Sequence, residues 1–430
     1  MTCMTYMTQK PGRWSSRVVL SACAVLLTGG MLLAGPLTPP ATISSTYKTL
    51  TEVEPRICIN STNTPGGPTS VYLITQPGSY YLSENLAGAV GKHGIEINSS
   101  GVTIDLNGFD LVGVPAMGAF AGVKTVGAGL VNISVFNGSV RGWGGGGVDL
   151  GASSASNSRV ERVRASGNVG NGIFAGSDSQ VVDCSSYANS GAGIRVRNSS
   201  RVFGCTAYNN TVGGIYSEIG GTISNCAVWL NSNGNGINAN ENSTVVNCTA
   251  YQNVSFGIAI GHSSTASGCS AYSNTAGFAA GSASRITGCS AFANAQTGIA
   301  VVSSSTGCTI TDSTAQQNGT DGINVTSGCT VRGNTCVSNG NGAGNGAGIH
   351  ATGDDNRIEG NNCTLADRGI DVDAPGNFIA RNTCSGNTVN WDVVAGNAIL
   401  VVSAATAAAV TGNAGGTPVG PADPNVNFTY

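Results

Sequence analysis

Acids, lysines and arginines are sparse in this chain, so the places where they gather stand out. Residues 202–311 hold only Glu218, Glu241 and Arg285, whereas 354–381 hold Asp354, Asp355, Arg357, Glu359, Asp367, Arg368, Asp371, Asp373 and Arg381. Within that cluster Asp354, Asp355, Arg357, Asp371 and Asp373 are the candidate catalytic set. Paired carboxylates beside a guanidinium suit general acid and base work at a sugar bond, or a hard cation such as calcium, which takes oxygen ligands. The competing reading is a solvated, ion-paired end that keeps strand edges from associating. A second candidate is the series Tyr187, Tyr208, Trp229, Tyr251, Tyr272 and Phe292, each three residues after a cysteine. Such a stripe could stack against an extended glycan, or against itself and stiffen the chain. Arg141, Arg159, Glu161, Arg162 and Arg164 read as an exterior strand face. His93, His262 and His350 share no obvious spacing and read as isolated surface residues.

The elements that must carry these side chains follow from a repeated phrase. Glycine followed by an apolar residue recurs at Gly172-Ile173, Gly193-Ile194, Gly214-Ile215, Gly236-Ile237, Gly257-Ile258, Gly277-Phe278 and Gly298-Ile299, at intervals of 20 to 22 residues. It returns at Gly322-Ile323, Gly348-Ile349 and Gly369-Ile370. Apolar positions alternate over three to five residues, as in Ile194-Arg195-Val196, and glycine interrupts any helical stripe. Short strands joined by turns and stacked once per period make a parallel solenoid of roughly 14–16 coils, about 70 Å long at ~4.8 Å per rung. Stacking then places like residues in columns. Cys184, Cys205, Cys226, Cys248, Cys269 and Cys289 form one, continued by Ser313, Asn334, Asn361 and Asn382. Asn189, Asn210, Asn231, Asn253, Asn274, Asn294, Asn318 and Asn339 form another, suited to an inside turn because the amide bonds to backbone and to its neighbours.

The phrases Gly-Ile-x-Val and Val-x-x-Asn/Cys-Thr-x-x-x-Asn, with Val102-Thr103-Ile104-Asp105-Leu106-Asn107-Gly108-Phe109, resemble exported bacterial right-handed parallel β-helix repeat proteins with the pectin-lyase-like fold. The resemblance spans roughly residues 50–400 and implies an all-β solenoid. For activity it is unspecific, because this fold hosts lyases, hydrolases, epimerases, phage tailspikes and adhesins. Of the polygalacturonase pattern only the pair Asp354-Asp355 is present, no lysine follows Lys124, and the Asp-Pro-His-Glu motif of alginate epimerases is missing.

The remaining sequence sets compartment and boundaries. Lys10, Arg13 and Arg17 precede an apolar run over 18–34, so residues 1–35 read as a signal peptide or N-terminal anchor, followed by a linker over 36–48. The solenoid is expected over 49–402: a cap and irregular coils over 49–146, regular repeats over 147–390 and closing strands over 391–402. Residues 403–430 read as a loose tail. With 64 glycines, 10% charged residues and a net charge of -3, the chain lacks the basic patches that nucleic acid or an anionic membrane requires. Membrane contact is expected only through the N-terminal segment. Of the 14 cysteines, the six from Cys184 to Cys289 stack in line, which suits neither tetrahedral metal ligation nor converging disulfides, so buried free thiols are expected. Cys308 and Cys329, one coil apart, are the likeliest disulfide. No cofactor or metal set is read beyond the calcium option. The function expected is that of a secreted or surface protein with a structural or glycan-binding role toward extracellular polysaccharide. A polysaccharide lyase or glycoside hydrolase is the alternative.

Overall fold

One repeat shows how about 21 residues close a coil. Strands Gln180–Val182, Ser185–Tyr187 and Ala192–Val196 are divided by corners at Ser179, Cys184 and Asn189. The residues just before those corners, Asp178, Asp183 and Ala188, have φ of 54°, 51° and 55°. This left-handed conformation turns the chain sharply, and Asp, Asn, Ser and Gly adopt it most readily. The coil imposes it even on Leu230 and Leu365, whose side chains are left exposed.

Each corner residue points inward and completes the backbone of the coil before it. Asn210 Oδ1 accepts from Asn189 N (3.1 Å) and Asn189 Nδ2 (2.9 Å), while its own Nδ2 donates to the Ser186 carbonyl (3.1 Å). The same pattern runs from Asn168 to Asn339. At the cysteine corner Cys184 N donates to Cys205 Sγ, Cys289 N to Ser313 Oγ, and Ser313 N to Asn334 Oδ1. Thiol, hydroxyl and amide thus fill one role. A third column, unforeseen from the sequence, begins Ser158, Ser179, Ser200 and ends Asn356, Asn377, Asn397. Cys308 and Cys329 occupy this serine column. Both are free thiols, as are all the described cysteines, so the pair read as the likeliest exception forms no disulfide.

The recurrent glycine has a steric cause. A Cβ at Gly236 would lie 2.6 Å from Asn253 Nδ2 and 2.6 Å from the Gly257 carbonyl oxygen. The asparagine of the next coil occupies the room that the missing side chain leaves. The residue after each glycine fills the interior: Ile215, Ile237, Ile258, Phe278 and Ile299 stack in register and are buried.

The computed structural model describes residues 53–342, 344–402 and 424–429, and Glu54–Tyr430 cluster as one unit. The expected signal or anchor, the linker and most of the tail lie outside the described residues. All named elements are strands, every pairing is parallel, and the third strands form a 15-stranded sheet from Ser70–Ile74 to Val389–Val393. The first and second strands build the remaining 30-stranded array. The far C-terminus departs from the loose tail expected. Asn427–Thr429 is a strand paired with Thr383–Ser385 and Val401–Val402, and Asn427 Oδ1 accepts from Asn382 N at 2.9 Å. Trp391 Nε1 donates to Thr429 Oγ1 at 2.7 Å, tying the last coil to this strand. A composition rich in Gly and Pro hid a single asparagine in a corner slot.

Removing Asn253 strands the Asn231 N–H and the Val228 carbonyl inside the coil. Asn253→Ala should therefore destabilise by roughly 2–4 kcal/mol, whereas Cys269→Ser, which keeps an acceptor, should stay within about 1 kcal/mol. Urea unfolding midpoints of the two variants measure the contrast.

Candidate functional site

In the third strand the residue after Gly-Ile faces outward, and these residues stack into one column along the 15-stranded sheet. The column opens with Glu96, Lys124 and Asp149, passes through Phe174, Arg195 and Tyr216, and crosses small residues at Ala259, Ala279 and Ala300. It ends with Asn324, His350, Asp371 and Asp392 in register. Two parts of this column gather chemistry.

The first is at the C-terminal end. His350 Nδ1 lies 3.2 Å from Asp321 Oδ2, and Nε2 lies 3.0 Å from Asp373 Oδ2 and 3.8 Å from Asp371 Oδ2. Asp321 is fixed in turn, accepting from Ala347 N (2.9 Å) and Asn324 Nδ2 (3.0 Å). Arg368 donates to Asp371 (3.1 Å) and pairs with Asp392 (3.0 Å). Burial opposes the imidazolium form of His350. The hydrogen bonds it donates to Asp321 and Asp373 and the charge of Asp371 outweigh it and raise its pKa to about 9. Burial also raises the Asp371 carboxyl, against the pull of His350 and Arg368.

Of the residues expected from sequence, Asp371 and Asp373 come together here. Asp354 and Asp355 do not join them. Both are exposed at the corner after the third strand, where Asp355 (φ 56°) is the left-handed residue preceding Asn356. Their carboxylates enter no hydrogen bond or ion pair among the described residues. Arg357 lies on the first strand Arg357–Glu359, donating to Glu359 (2.7 Å) and covering the Phe378 ring at 4.9 Å. It is therefore on another side of the coil. Arg368 belonged to the charge cluster but not to the candidate set, and His350, Asp321 and Asp392 were missed. The Gly340–Gly346 loop lengthens one coil, so that His350 follows Asn324 by 26 residues and escapes a count by 21 or 22. The Gly-Ile phrase itself would have found it. Nor are the histidines isolated: His93 is buried with Nδ1 accepting from Ala121 N, and His262 Nδ1 accepts from Ser282 N. The lengthened coil is pinned by Asp367, whose carboxylate accepts from Gly342 N, Gly344 N and Gly346 N.

The second part is a cleft of about 450 Å³ around Arg195, whose floor includes Tyr216, Asn171, Asn235 and Asn238. The Arg195 guanidinium lies 5.0 Å from the Phe174 ring centre and 5.3 Å from that of Tyr216, and donates to Glu218 at 3.0 Å. Its buried Nε–H has no acceptor among the described residues. Asn171 and Asn235 spend their oxygens on Ala192 N and Phe256 N, which leaves their NH2 groups as donors.

The aromatic series is a self-stacked column on the second strands. Ring centres from Tyr187 through Tyr208, Trp229 and Tyr251 to Tyr272 lie 4.4 to 5.6 Å apart, with planes within 5°. Ring faces meet one another, so edges and hydroxyls are what a ligand would meet. Phe292 holds the next register position and is exposed.

A family model described as right handed beta helix region matches residues 60–222, and one described as periplasmic copper-binding protein (NosD) matches residues 262–414. The chain is a right-handed parallel β-helix protein of the pectin-lyase-like fold. No curated protein matches this β-helix. Among solved structures, the tailspike protein of E. coli bacteriophage HK620 in complex with pentasaccharide is 13% identical, with a TM-score of 0.51 over 82% of this chain and 72% of the tailspike. The A-module of Azotobacter vinelandii mannuronan C-5 epimerase AlgE6 is 14% identical, with a TM-score of 0.37 over 75% and 90%. At such identities the likeness is one of fold.

Trp229→Ala interrupts two stacked contacts and should cost the β-helix roughly 1–3 kcal/mol, against less than about 1 kcal/mol for Phe292→Ala, read from urea midpoints. Asp367→Ala should lower amide-exchange protection at Gly342, Gly344 and Gly346 by about 10–100-fold while corner amides elsewhere keep theirs.

Proposed function

We propose that this β-helix acts outside the cytoplasm, secreted or at the cell surface, as a binding scaffold for an extended acidic polysaccharide. The observation that carries this reading is the cleft at Arg195. It offers hydrogen-bond donors: the Nε–H of Arg195, whose guanidinium also pairs with Glu218, and the amide NH2 groups of Asn171 and Asn235, beside the Tyr216 ring. Such a set suits a ligand rich in acceptors, as sugars carrying carboxylates are, and few convergent polar groups beside an aromatic wall are the usual make-up of a ligand site. The cleft lies on a straight column of rungs, so a linear glycan can follow it along the rod. A tailspike of this fold is solved in complex with a pentasaccharide. The description of the family model over 262–414 as periplasmic agrees with an extracytoplasmic place.

Binding is favoured over hydrolysis because both acids are already committed, Asp371 to Arg368 and Asp373 to His350. The ligand oxygens of Asp371 and Asp373 and the ring nitrogen of His350 lie within 4.8 Å of one another.

Polygalacturonate and alginate oligomers should bind the full chain, and neutral dextran oligomers should bind at least about 10-fold more weakly. Arg195→Ala and Asn235→Ala should each reduce affinity for the acidic oligomers by about 10-fold or more, with Trp229→Ala unchanged. A glycan array followed by calorimetry measures this. Equal affinity in Arg195→Ala, or release of reducing ends or unsaturated products from a bound oligomer, would sink the proposal.

A further inference from the structure

We infer that His93 and Glu96 form a second subsite on the third-strand face, one that takes a sugar hydroxyl, so that a glycan seated at Arg195 runs on over the N-terminal rungs. The inference rests on the binding role proposed for the Arg195 cleft and adds a site of different chemistry to it.

Glu96 points outward from strand His93–Ile97, in register with Leu73 of the rung before and Lys124 of the rung after. Its side chain is only 7% exposed, yet among the described residues its carboxylate enters no hydrogen bond. Lys124 does not serve it, because its Nζ is 3.0 Å from Asp149 Oδ2. A carboxylate so enclosed and left without a donor is costly to the fold.

His93 Nε2 faces that carboxylate at 4.0 Å. The ring is held by a duty that other residues before the Gly-Ile phrase share. His93 Nδ1 accepts from Ala121 N at 2.8 Å, as Asn171 Oδ1 accepts from Ala192 N, Asn235 Oδ1 from Phe256 N and Asp321 Oδ1 from Ala347 N. An accepting Nδ1 carries no proton, so the proton of the neutral ring sits on Nε2. Burial, and after it the charge of Lys124, hold the imidazole below its ordinary pKa and keep it neutral. Phe120 packs edge to face against the ring, with centres 4.9 Å apart.

A donor and an acceptor thus stand 4.0 Å apart, too far to meet, yet placed to share one atom about 2.8 Å from each. That atom must both accept and donate. A carboxylate has nothing to give Glu96, and an ammonium has nothing to take from the Nε2–H, whereas a hydroxyl does both. Position favours a hydroxyl of the glycan. Glu96 and Arg195 belong to one column, linked by pairings through Lys124, Asp149 and Phe174. At ~4.8 Å per rung they lie roughly 19 Å apart, the reach of about four or five linked pyranose units.

Calorimetry of the full chain with polygalacturonate trimer, hexamer and octamer tests the inference. The parent should bind hexamer at least about 10-fold more tightly than trimer, with little further gain for octamer. Glu96→Leu and His93→Asn should each bring hexamer to within about 2-fold of trimer and leave trimer affinity unchanged. The asparagine keeps an acceptor for Ala121 N, as residues 171 and 235 do for their neighbours. Arg195→Ala should weaken all three oligomers alike. Glu96→Leu should also hold or raise the urea midpoint, since it removes an unserved charge, whereas a carboxylate needed by the coil would lower it. Trimer binding with no gain for hexamer leaves only a water between the two groups and overturns this inference alone, as does a gain that survives in both variants or a lowered midpoint in Glu96→Leu. A parent that binds none of the oligomers overturns the Arg195 reading together with it.

Discussion

The architecture rests on one contact made at every corner: an inward side chain that accepts the backbone N–H of the rung before it. A left-handed residue bends the chain, and the residue after it reaches across and satisfies a buried peptide group that no strand can serve. Buried peptide groups left unpaired are among the most expensive defects a fold can carry. Corners therefore decide which residue types the coil tolerates. Asn, Ser and Cys share the slot because each is small and offers an acceptor.

The three corner columns free the outer surface from structural duty. Strand pairing and the Ile and Val interior supply cohesion, so outward residues on the third strands can vary without harm to the coil. The column there holds an alanine stretch between two chemically rich segments, one around Arg195 and one around His350. The aromatic column on the second strands is different in kind. Its rings turn their faces to each other and so contribute to the rod.

Much of this was legible in the sequence because the repeat is short and each structural demand falls on a fixed place. Gly236-Ile237 and its equivalents marked the third strand, and the cysteine and asparagine columns marked two corners. The serine corner passed unnoticed, since Ser179 and Ser200 lie in a chain where serine is common everywhere. Asp371 and Asp373 were found by local density of charge. His350 was not, because a loop inserted ahead of its strand breaks the count that should link it to Asn324 and Asp371. Density also pointed to Asp354 and Asp355, which serve a bend. Repetition reveals the scaffold readily, but a site built across rungs requires the count to survive every insertion.

The terminal strand gives the last rung a peculiar dependence. Asn382 donates its backbone N–H to Asn427, a residue 45 positions further on, whereas other corner partners lie about one coil away. Asn427 also donates from Nδ2 to the Ile379 carbonyl, so one side chain from a distant segment completes two peptide groups of the last corner.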